Sequence, residues 1–366
     1  MADIAAAPVT RRAPGLIQRL AASRRFQSWA ARTPLLRWFV AREGAVLFDV
    51  IQGFVRSQVL LALVELDLFA ALAPGPKTAA LLAPAAGLTP DRMQVLLQAG
   101  AALGLLRRKG DNFALSRRGA AFLGVPGLAG MVRHHAVLYR DLADPVAFLR
   151  GQTAPDLARF WPYVFGAAAA GDPAVAATYS TLMSDSQTLV AEDALRLVDL
   201  GTARHLVDVG GGTGAFLKSV AVAYPALQLT LFDLPAVLDN ARLPPGIIPV
   251  PGSFRDDPLP AGADTISLVR VLYDHADATV RTLLARVHDA LPPGRRVIIA
   301  EPMGGGSRPD PATDVYFAFY CMAMGTGRTR SATEIAALLA EAGFTGISLH
   351  PGPRPYVTSA VTATRP

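Results

Sequence analysis

Hydrophobic positions change their spacing near residue 205. Before that point, apolar residues recur mainly at the three- and four-residue intervals of helices. After it, short apolar runs predict strands at 205–209, 227–232, 247–250, 264–269 and 295–300. Helices are predicted at 215–224, 276–290, 311–324 and 331–342, and two β-rich runs follow at 347–349 and 356–364. This alternation is typical of a doubly wound α/β fold, whose ligands bind outside the carboxyl ends of the strands.

The segment before this region has the pattern of a winged helix. Apolar residues predict helices at 54–69 and 77–83, and a third helix begins after Thr89, whose hydroxyl can cap it. A turn-rich tip joins the two strands of a predicted β-hairpin at 105–115. The third helix carries only Arg92 near its start, so we do not expect it to recognise DNA. Its apolar surfaces favour dimerisation, and no nucleic-acid partner is predicted.

Positive charge is concentrated in an N-terminal arm. The chain has a net charge of +6, and residues 1–42 contain eight arginines and one acid, Asp3. We predict two short helices in this arm, separated by Pro34, with apolar residues among the arginines. Such a segment could lie on an anionic membrane surface, or it could pack on its own domain or on a partner subunit. Both interpretations stay open.

Cysteine content and uncharged runs restrict the expected compartment. Cys321 is the only cysteine, so no internal disulfide can form, which argues against a disulfide-framed secreted protein. The longest run without an acidic or basic residue is 14 residues, shorter than the roughly 20 residues of a membrane-spanning helix. We therefore expect a cytoplasmic protein, and only the arm is a candidate for peripheral contact with the inner membrane.

A glycine-rich turn follows the first predicted strand of the α/β region. Gly210, Gly212 and Ala215 fit the G-x-G-x-x-A pattern of dinucleotide sites, and Asp233 ends the next strand, where an acid can bind ribose hydroxyls. Asp208 precedes the glycines inside the strand, where it can meet a positively charged group. NAD offers only a pyrophosphate at this point, whereas S-adenosylmethionine offers an ammonium group. We therefore favour S-adenosylmethionine, with Asp233 accepting from the ribose.

Four sequence blocks resemble one enzyme family. They are Val-Asp-Val-Gly-Gly-Gly-Thr-Gly at 207–214, Phe-Asp-Leu-Pro at 232–235, Leu-Pro-Pro-Gly at 291–294 and Ala-Glu-Pro at 300–302. They resemble class I S-adenosylmethionine-dependent O-methyltransferases of the winged-helix dimer type, and the resemblance spans about residues 45–366. Blocks at 132–135, 142–145, 160–163, 269–275 and 316–320 are similar to one branch, the hydroxyneurosporene (demethylspheroidene) O-methyltransferases of carotenoid synthesis.

The resemblance implies a fold and a function. We expect a basic arm at 1–43, a winged-helix and helical domain for dimerisation and substrate at 44–195, and a Rossmann-like methyltransferase domain at 196–366. The implied enzyme is a homodimer that methylates the tertiary hydroxyl of an acyclic carotenoid, and the arm could meet the photosynthetic membrane. The alternatives are C-20 methylation of a bacteriochlorophyllide and O-methylation of another lipophilic molecule. A winged-helix regulator and an NAD-dependent oxidoreductase are alternatives from other classes.

The resemblance also assigns residues to the cofactor. They are Asp208, Gly210, Gly212, Asp233, Leu234, Ser253, Phe254 and Arg270. Ser253 stands where the family usually has an aspartate that accepts from the adenine amino group, and Phe254 can cover the adenine ring. The family's lysine falls at Val269, so the neighbouring Arg270 is the candidate cation.

The predicted catalytic residues differ from those of plant-type relatives. Tyr273 falls at the position of their catalytic histidine, Glu301 matches one of the acids that orient it, and Thr329 replaces the second. A tertiary alcohol does not ionise easily, so a group of the enzyme must take its proton. We predict that Tyr273 orients the hydroxyl or relays its proton to Glu301 or His275. Alternatively, Tyr273 only packs and His275 only begins a helix.

Two further groups of residues complete the predicted site. His134 and His135 are adjacent and should point to different sides of a helix, so they are a poor metal pair and no metal is predicted. Either histidine is the next candidate for the base. The residues assigned to the substrate are His135, Trp161, Met183, Tyr316, Phe319 and Tyr320. Aromatic residues and methionines at helical spacing could instead belong to the core.

Overall fold

The fold is taken from a computed structural model, which describes residues 15–160 and 187–366. The chain forms two compact units that divide between Ser116 and Arg117. This division differs from the one predicted at 195/196, because helices after residue 117 pack against a helix at 318–324. One buried cluster joins Leu138, Phe148 and Leu157 to Tyr320, Ala323 and Met324. The functional boundaries at 43/44 and 195/196 stay predictions.

The first unit contains the predicted winged helix. Its helices are α1 (Leu16–Ala22), α2 (Arg24–Arg32), α3 (Leu36–Ile51), α4 (Gly53–Glu65), α5 (Leu68–Leu72), α6 (Ala79–Leu82) and α7 (Pro90–Ala102). Its strands are β1 (Lys77–Thr78), β2 (Leu106–Lys109) and β3 (Asn112–Leu115), in the sheet order β1-β3-β2. The hairpin is confirmed, and Thr89 caps α7 by accepting from the Arg92 N–H. Leu63, Met93 and Phe113 are fully buried in its core.

The described part of the arm, from residue 15, contributes to three helices where two were predicted. The Ser23 side chain accepts from the Phe26 N–H and caps α2. The helical structure is therefore interrupted at Ser23 as well as near Pro34. Helix α3 then continues through the predicted boundary at 43/44. Large apolar side chains are exposed on α1–α4 and in the loop before α3: Leu16, Ile17, Leu20, Trp29, Leu35, Trp38, Phe39, Val46, Leu47, Phe48, Val50, Ile51, Phe54 and Val55. Within the described ranges no single helix is long and apolar enough to cross a membrane. Helices α3 and α4 together have the required length and composition, but they are bent by 53° where they meet.

The second unit is built on a seven-stranded sheet in the order β6-β5-β4-β7-β8-β10-β9. The strands are β4 (His205–Val209), β5 (Gln228–Asp233), β6 (Ile247–Pro251), β7 (Thr265–Val269), β8 (Arg296–Glu301), β9 (Thr345–His350) and β10 (Ser359–Thr364). Strands β4 to β8 are parallel, and β10 pairs antiparallel with both β8 and β9. The chain order reverses between β4 and β7, which is where open α/β sheets bind their ligands.

Helices cover both faces of this sheet, as the α/β prediction requires. The helices described in the second unit are α8 (Arg117–Leu123), α9 (Leu128–Asp141), α10 (Pro145–Leu149), α11 (Asp156–Phe160), α12 (187–197), α13 (Ala215–Ala223), α14 (Pro235–Leu238), α15 (Asp277–Ala290), α16 (Ala318–Met324) and α17 (Ala332–Glu341). Successive strand residues alternate between the faces. Val207 belongs to the cluster that contains α15 and α17, whereas Leu206 belongs to the one that contains α12 and α13. The carboxyl ends of the strands thus carry the loops of the candidate site.

Candidate active site

The glycine turn, Gly210–Gly214, follows β4 at the point where the chain order reverses. Gly210 and Gly212 have φ angles of 70° and 62°, which favour glycine. The Gly210 N–H donates to the Phe232 carbonyl oxygen at 2.8 Å, which fixes the turn beside the end of β5. A Cβ atom on Gly211 would collide with Asp208 Oδ2. The turn therefore needs glycine both for its backbone conformation and for close approach to a carboxylate.

Asp208 lies fully buried beneath the glycine turn. The Ser267 hydroxyl donates to Asp208 Oδ1 at 2.6 Å, and Oδ2 has no hydrogen-bond partner among the described residues. Burial raises the pKa of this carboxyl to about 7. A carboxylate oxygen without a partner next to a glycine turn fits a ligand that brings a positive charge or an N–H donor. The predicted contact with a ligand ammonium group stays a prediction.

Asp233 is oriented by main-chain donors on both of its oxygens. Its Oδ2 accepts from the Gly212 N–H and its Oδ1 from the Leu234 N–H, each at 2.7 Å. The side chain is partly exposed, and burial raises its pKa to about 6. Each carboxylate oxygen has a second lone pair and can accept again. This geometry fits the two hydroxyls of a ribose, so the residues present are compatible with an adenosyl cofactor.

Ser253 follows β6 and already has partners within its own loop. Its hydroxyl donates to Asp256 Oδ2 at 3.0 Å and accepts from the Arg255 N–H at 3.2 Å. The exposed Asp256 carboxylate therefore stands beside the position where the family usually has its aspartate, and the sequence analysis did not identify it. Phe254 is partly buried and could still cover a ring.

His275 follows the turn after β7, packs against the segment after β6 that carries Phe254, and does not line the cavity described next. Its ring packs edge-on against Phe254, with centroids 5.2 Å apart. Arg255 donates to His275 Nδ1 at 3.2 Å, and burial with the nearby Arg255 and Arg330 charges lowers its pKa to about 3. A neutral imidazole whose Nδ1 already accepts from a guanidinium is a poor proton acceptor for a distant hydroxyl.

A largely apolar cavity of about 400 Å³ lies beyond the ends of β7 and β8, within the second unit. This apolar cavity is lined by Val125, Pro126, Gly127, Leu128, Met131, Leu189, Val190, Arg270, Tyr273, Asp274, Tyr316, Phe317, Tyr320, Met324, Arg354, Tyr356 and Val357. Most of its lining is aliphatic or aromatic, and its charged members are Arg270, Asp274 and Arg354. Such a composition suits a lipophilic molecule that carries few polar groups.

Arg270, Tyr273 and Asp274 meet at one end of the apolar cavity. Arg270 follows β7 with a φ of 56°, an unusual backbone conformation for a residue with a side chain. Its Nε donates to the Tyr273 hydroxyl at 3.2 Å. The Tyr273 side chain in turn hydrogen-bonds the Asp274 carboxylate. Arg270, which was assigned to the cofactor, thus contacts the predicted catalytic tyrosine.

Glu301 ends β8 and contacts the main chain of Tyr273. Its Oε2 accepts from the Tyr273 N–H at 3.2 Å, and its Oε1 has no hydrogen-bond partner among the described residues. The side chain is fully buried, which raises its pKa to about 7. Glu301 is therefore placed to hold the turn that carries Tyr273, and it is not among the residues that line the apolar cavity.

Arg330 binds the main chain of the same turn through hydrogen bonds to two of its carbonyl oxygens. Its fully buried guanidinium donates to the Leu272 carbonyl oxygen at 2.7 Å and to the His275 carbonyl oxygen at 2.9 Å. It also pairs with Asp277 Oδ1 at 2.5 Å. Nothing in the sequence pattern marked this residue, because only the neighbouring Thr329 falls at a family position.

Tyr316 and Tyr320, which were assigned to the substrate, are hydrogen-bonded to the adjacent His135 and His134. His135 Nε2 lies 2.5 Å from the Tyr316 hydroxyl, and His134 Nε2 lies 2.7 Å from the Tyr320 hydroxyl. Burial lowers the pKa of both histidines, that of His134 to about 4, so both are neutral near pH 7. The two rings bond tyrosines four residues apart. Among the described residues no three His, Cys, Asp or Glu side chains could hold a metal ion.

The remaining substrate assignments have different outcomes. Tyr316 and Tyr320 line the apolar cavity, as does Phe317. Phe319 instead stacks on Phe148, with ring centroids 6.2 Å apart and planes at 20°. The segment before α16 is a π-helix at Pro311–Phe317. Trp161 and Met183 lie outside the described residues.

Comparisons with known proteins agree with this geometry. Residues 48–124 match an O-methyltransferase dimerisation domain, and residues 139–345 match an O-methyltransferase domain. Demethylspheroidene O-methyltransferase of Cereibacter sphaeroides is 63% identical over 95% of this chain and 94% of its own length. The protein of the same name from Rhodobacter capsulatus is 56% identical over 98% of this chain and 92% of its own. The crystal structure of human N-acetylserotonin methyltransferase in complex with S-adenosylmethionine has a TM-score of 0.75 and 26% identity, covering 88% of this chain and 97% of that one.

Proposed function

The chain belongs to the S-adenosylmethionine-dependent O-methyltransferases, and from this premise we propose that it methylates the tertiary hydroxyl group of an acyclic carotenoid. The observation that carries the proposal is the high identity, over nearly the whole chain, to two demethylspheroidene O-methyltransferases. Its dimerisation domain supports assembly as a homodimer that acts on a small molecule. C-20 methylation of a bacteriochlorophyllide is not favoured, because both relatives are O-methyltransferases. A regulator and an NAD-dependent oxidoreductase do not fit the family.

The cofactor is S-adenosylmethionine, which supplies the methyl group when it is bound. The acceptor oxygen would bond the methyl carbon as the carbon–sulfur bond of the sulfonium breaks, and the electron pair of that bond would stay on sulfur. We infer that Asp233 holds the ribose and that the glycine turn lets the backbone approach the cofactor. Asp208 Oδ2, buried and unpartnered among the described residues, is available to an ammonium donor. In this assignment the enzyme mainly holds two reactants in line and excludes water.

The apolar cavity supports a lipophilic acceptor. Its volume of about 400 Å³ is in the usual range for small-molecule sites, about 300–1,000 Å³. Arg270, Tyr273 and Asp274 form a polar cluster in its lining, Arg354 is a further charged member, and aliphatic and aromatic side chains line most of the remainder. This arrangement suits a molecule with one hydroxyl on a long hydrocarbon. The hydroxylated end would lie beside the polar cluster, and the hydrocarbon would contact the apolar wall.

The arm is the part of the chain that we assign to a membrane surface. Its helices expose Ile17, Trp29 and Trp38 among arginines, and the loop before α3 exposes Leu35. Exposed apolar side chains combined with positive charge favour binding to anionic lipid. A carotenoid substrate partitions into the same lipid phase, so an arm at the membrane surface would bring the enzyme to its substrate.

The test of the activity uses the full-length protein with methyl-labelled S-adenosylmethionine and a purified acyclic carotenoid that carries a tertiary hydroxyl. We expect a labelled methyl ether, identified by chromatography and mass spectrometry. The matched control is the same carotenoid without the hydroxyl, which should remain unlabelled. Label that appears on carbon of a chlorin from a pigment extract, and not on the hydroxycarotenoid, would replace this proposal with C-methylation.

A further inference from the structure

Asp274 is a carboxylate at the apolar cavity to which neither the sequence patterns nor the comparisons give a role. It ends the 3₁₀ turn Leu272–Asp274 beyond β7 and lines the cavity beside Tyr273. We propose that Asp274 Oδ1 takes the proton of the substrate hydroxyl, and that Tyr273 and Arg270 act as positioning residues. This inference rests on the proposed function and deepens it by naming the group that receives the proton.

The first observation is an unfilled hydrogen-bonding position on Asp274. Its Oδ1 is buried and has no hydrogen-bond partner in the part of the chain that the structure describes. Buried polar atoms without a partner are rare in folded proteins, because each one gives up its hydration without replacement. Since this side chain lines the apolar cavity, we infer that the hydroxyl of a bound acceptor supplies the missing donor.

The second observation is the pair of residues that orient this carboxylate. Arg270 donates to the Tyr273 hydroxyl, which leaves the phenolic proton for the hydrogen bond between Tyr273 and Asp274. Glu301 and Arg330 fix the main chain of the turn at the Tyr273 N–H and at the Leu272 carbonyl oxygen. Tyr273 and Arg270 therefore orient the Asp274 carboxylate, while its Oδ1 stays without a hydrogen-bond partner among the described residues.

The other candidate acceptors are hydrogen-bonded elsewhere, absent from the cavity lining, or weak bases. His275 Nδ1 accepts from Arg255, and its ring packs on Phe254. The Nε2 atoms of His134 and His135 are hydrogen-bonded to tyrosine hydroxyls. Glu301 is buried behind the turn and is not a lining residue of the apolar cavity. Tyr273 has the correct place but would be a weak base as a neutral phenol.

The chemistry needs an acceptor stronger than an ordinary carboxylate. As the hydroxyl oxygen bonds the methyl carbon, its proton moves to Asp274 Oδ1, and it later leaves the carboxyl for solvent. Burial and the nearby Glu301 raise the pKa of Asp274 to about 8, although Arg270 and the Tyr273 hydrogen bond act in the opposite direction. Proton transfer is most efficient when the pKa of the acceptor is near the working pH.

Several titratable or charged groups around Asp274 can contribute to the pH dependence of kcat. These are Arg270 after β7, Tyr273 in the same turn, Glu301 at the end of β8, Cys321 and Tyr320 on α16, and Arg330 before α17. Among them the pKa of Glu301, raised by burial to about 7, lies closest to that of Asp274. The test must therefore separate these two carboxylates.

The test compares Asp274→Asn with the wild-type enzyme on the hydroxycarotenoid. Asparagine keeps the volume but cannot take a proton, so we expect kcat to fall about 10²- to 10⁴-fold while the affinity for S-adenosylmethionine changes less than about twofold. Wild-type kcat should rise with pH through an apparent pKa near 8, since the base must be ionised, and this rise should be absent in the variant. Asp289→Asn, at an exposed carboxylate on α15, is the matched control and should keep both rate and profile.

A binding measurement tests the contact without methyl transfer. We expect the wild type to bind the hydroxylated carotenoid more tightly than the same carotenoid without the hydroxyl. Asp274→Ala should lose that difference but keep its affinity for the unhydroxylated molecule. Tyr273→Phe should lower kcat less than Asp274→Asn, and should move the rise in kcat to higher pH, because its hydrogen bond lowers the pKa of Asp274.

The possible results separate a failure of the Asp274 assignment from a failure of the proposed function. A wild type that methylates the hydroxycarotenoid, with Asp274→Asn within about threefold of its rate, would overturn the role of Asp274 and leave the function standing. A rise in kcat with pH that persists in Asp274→Asn would assign the proton to Glu301 instead. A wild type that neither binds nor methylates any hydroxycarotenoid would overturn the proposed function, together with the assignment that rests on it.

Discussion

The glycine turn and the apolar cavity lie at neighbouring strand ends, yet different interactions hold them in place. At the turn, main-chain N–H groups of Gly212 and Leu234 orient the Asp233 carboxylate, and both lie in the loops that follow β4 and β5. At the cavity, side chains far apart in sequence orient one another, as His135 does with Tyr316. The turn is therefore a local structure, whereas the cavity depends on tertiary packing.

This difference decides what a substitution at each place should change. A main-chain cradle persists when one side chain is removed, so loss of its carboxylate should weaken ligand binding with little effect on folding. A cavity built from buried, mutually bonded side chains loses internal hydrogen bonds with each substitution. Substitutions there should therefore affect both stability and turnover.

The largest effect on the cavity side is expected from Arg330→Met. The variant leaves the Leu272 and His275 carbonyl oxygens without their charged donor, and buried acceptors that lose a partner destabilise the fold. We expect a loss of about 3 kcal/mol in the free energy of unfolding, measured by denaturant at fixed protein concentration. Turnover should fall as well, because the turn that carries Asp274 loses its clamp.

Arg328→Met is the matched control for this prediction. Arg328 binds the same Asp277, but its side chain is 44% exposed. An exposed ion pair contributes little, so we expect a loss below about 1 kcal/mol. Equal losses in the two variants would mean that the ion pair with Asp277, and not the carbonyl contacts, stabilises the turn.

The fold was largely predictable because its signals are local. Strand β4 coincides with the predicted 205–209, and no bound of β5 to β8 differs from its prediction by more than one residue, since short apolar runs mark strands buried between two helical layers. The break at Ser23 was missed, although a serine before a helix is a known cap signal. The division at 116/117 could not be seen, because it depends on packing between residues near 138–157 and α16.

The site divides in the same way. Asp208, Gly210 and Asp233 stand in a short motif whose spacing alone suggests a ligand, and the structure brings them together. Asp274 was missed because nothing local shows that its Oδ1 lacks a partner. Phe319 was assigned to the substrate wall from the aromatic residues of its segment, and in the structure it stacks on Phe148 and is not among the residues that line the cavity. Sequence patterns therefore predict the turn better than the cavity.

Asp233→Ala should give the largest effect at the glycine turn. It removes the carboxylate acceptor for the ribose, and charge-assisted hydrogen bonds contribute about 1.5–3 kcal/mol each. We expect the affinity for S-adenosylmethionine, measured by calorimetry, to fall about a hundredfold, while the affinity for the carotenoid stays unchanged. Asp233→Asn keeps one acceptor oxygen and should give an intermediate loss. Unchanged affinity in the alanine variant would remove Asp233 from the cofactor site.

Tyr316→Phe should give a smaller effect, confined to the cavity. The variant leaves His135 Nε2 without its hydroxyl partner, so we expect a loss of about 1 kcal/mol in stability and a raised KM for the carotenoid. The affinity for S-adenosylmethionine should not change. Phe319→Leu is the matched control, because Phe319 stacks on Phe148 and does not line the cavity; it should lower stability without changing KM. A changed KM in both variants would mean that KM follows general packing.

The smallest effect on either region is expected from removal of residues 1–34, which ends just before α3 begins at Leu36. We expect cofactor affinity and turnover of detergent-dispersed carotenoid to be unchanged, because every residue assigned to the turn or the cavity lies after residue 124. Binding to anionic vesicles, measured by co-sedimentation, should weaken. The difference from the full-length protein should be larger at low salt, since exposed arginines are screened by ions over about 10 Å at 0.1 M.

Full-length protein with Arg24→Glu and Arg25→Glu is the matched control, because it keeps the apolar residues and should also bind less. If the intact protein does not bind anionic vesicles, the arm packs on protein and its arginines are solvated. If the truncated enzyme loses turnover on dispersed carotenoid, the arm contributes to the substrate site, and the separation between a local turn and a packed cavity is incomplete.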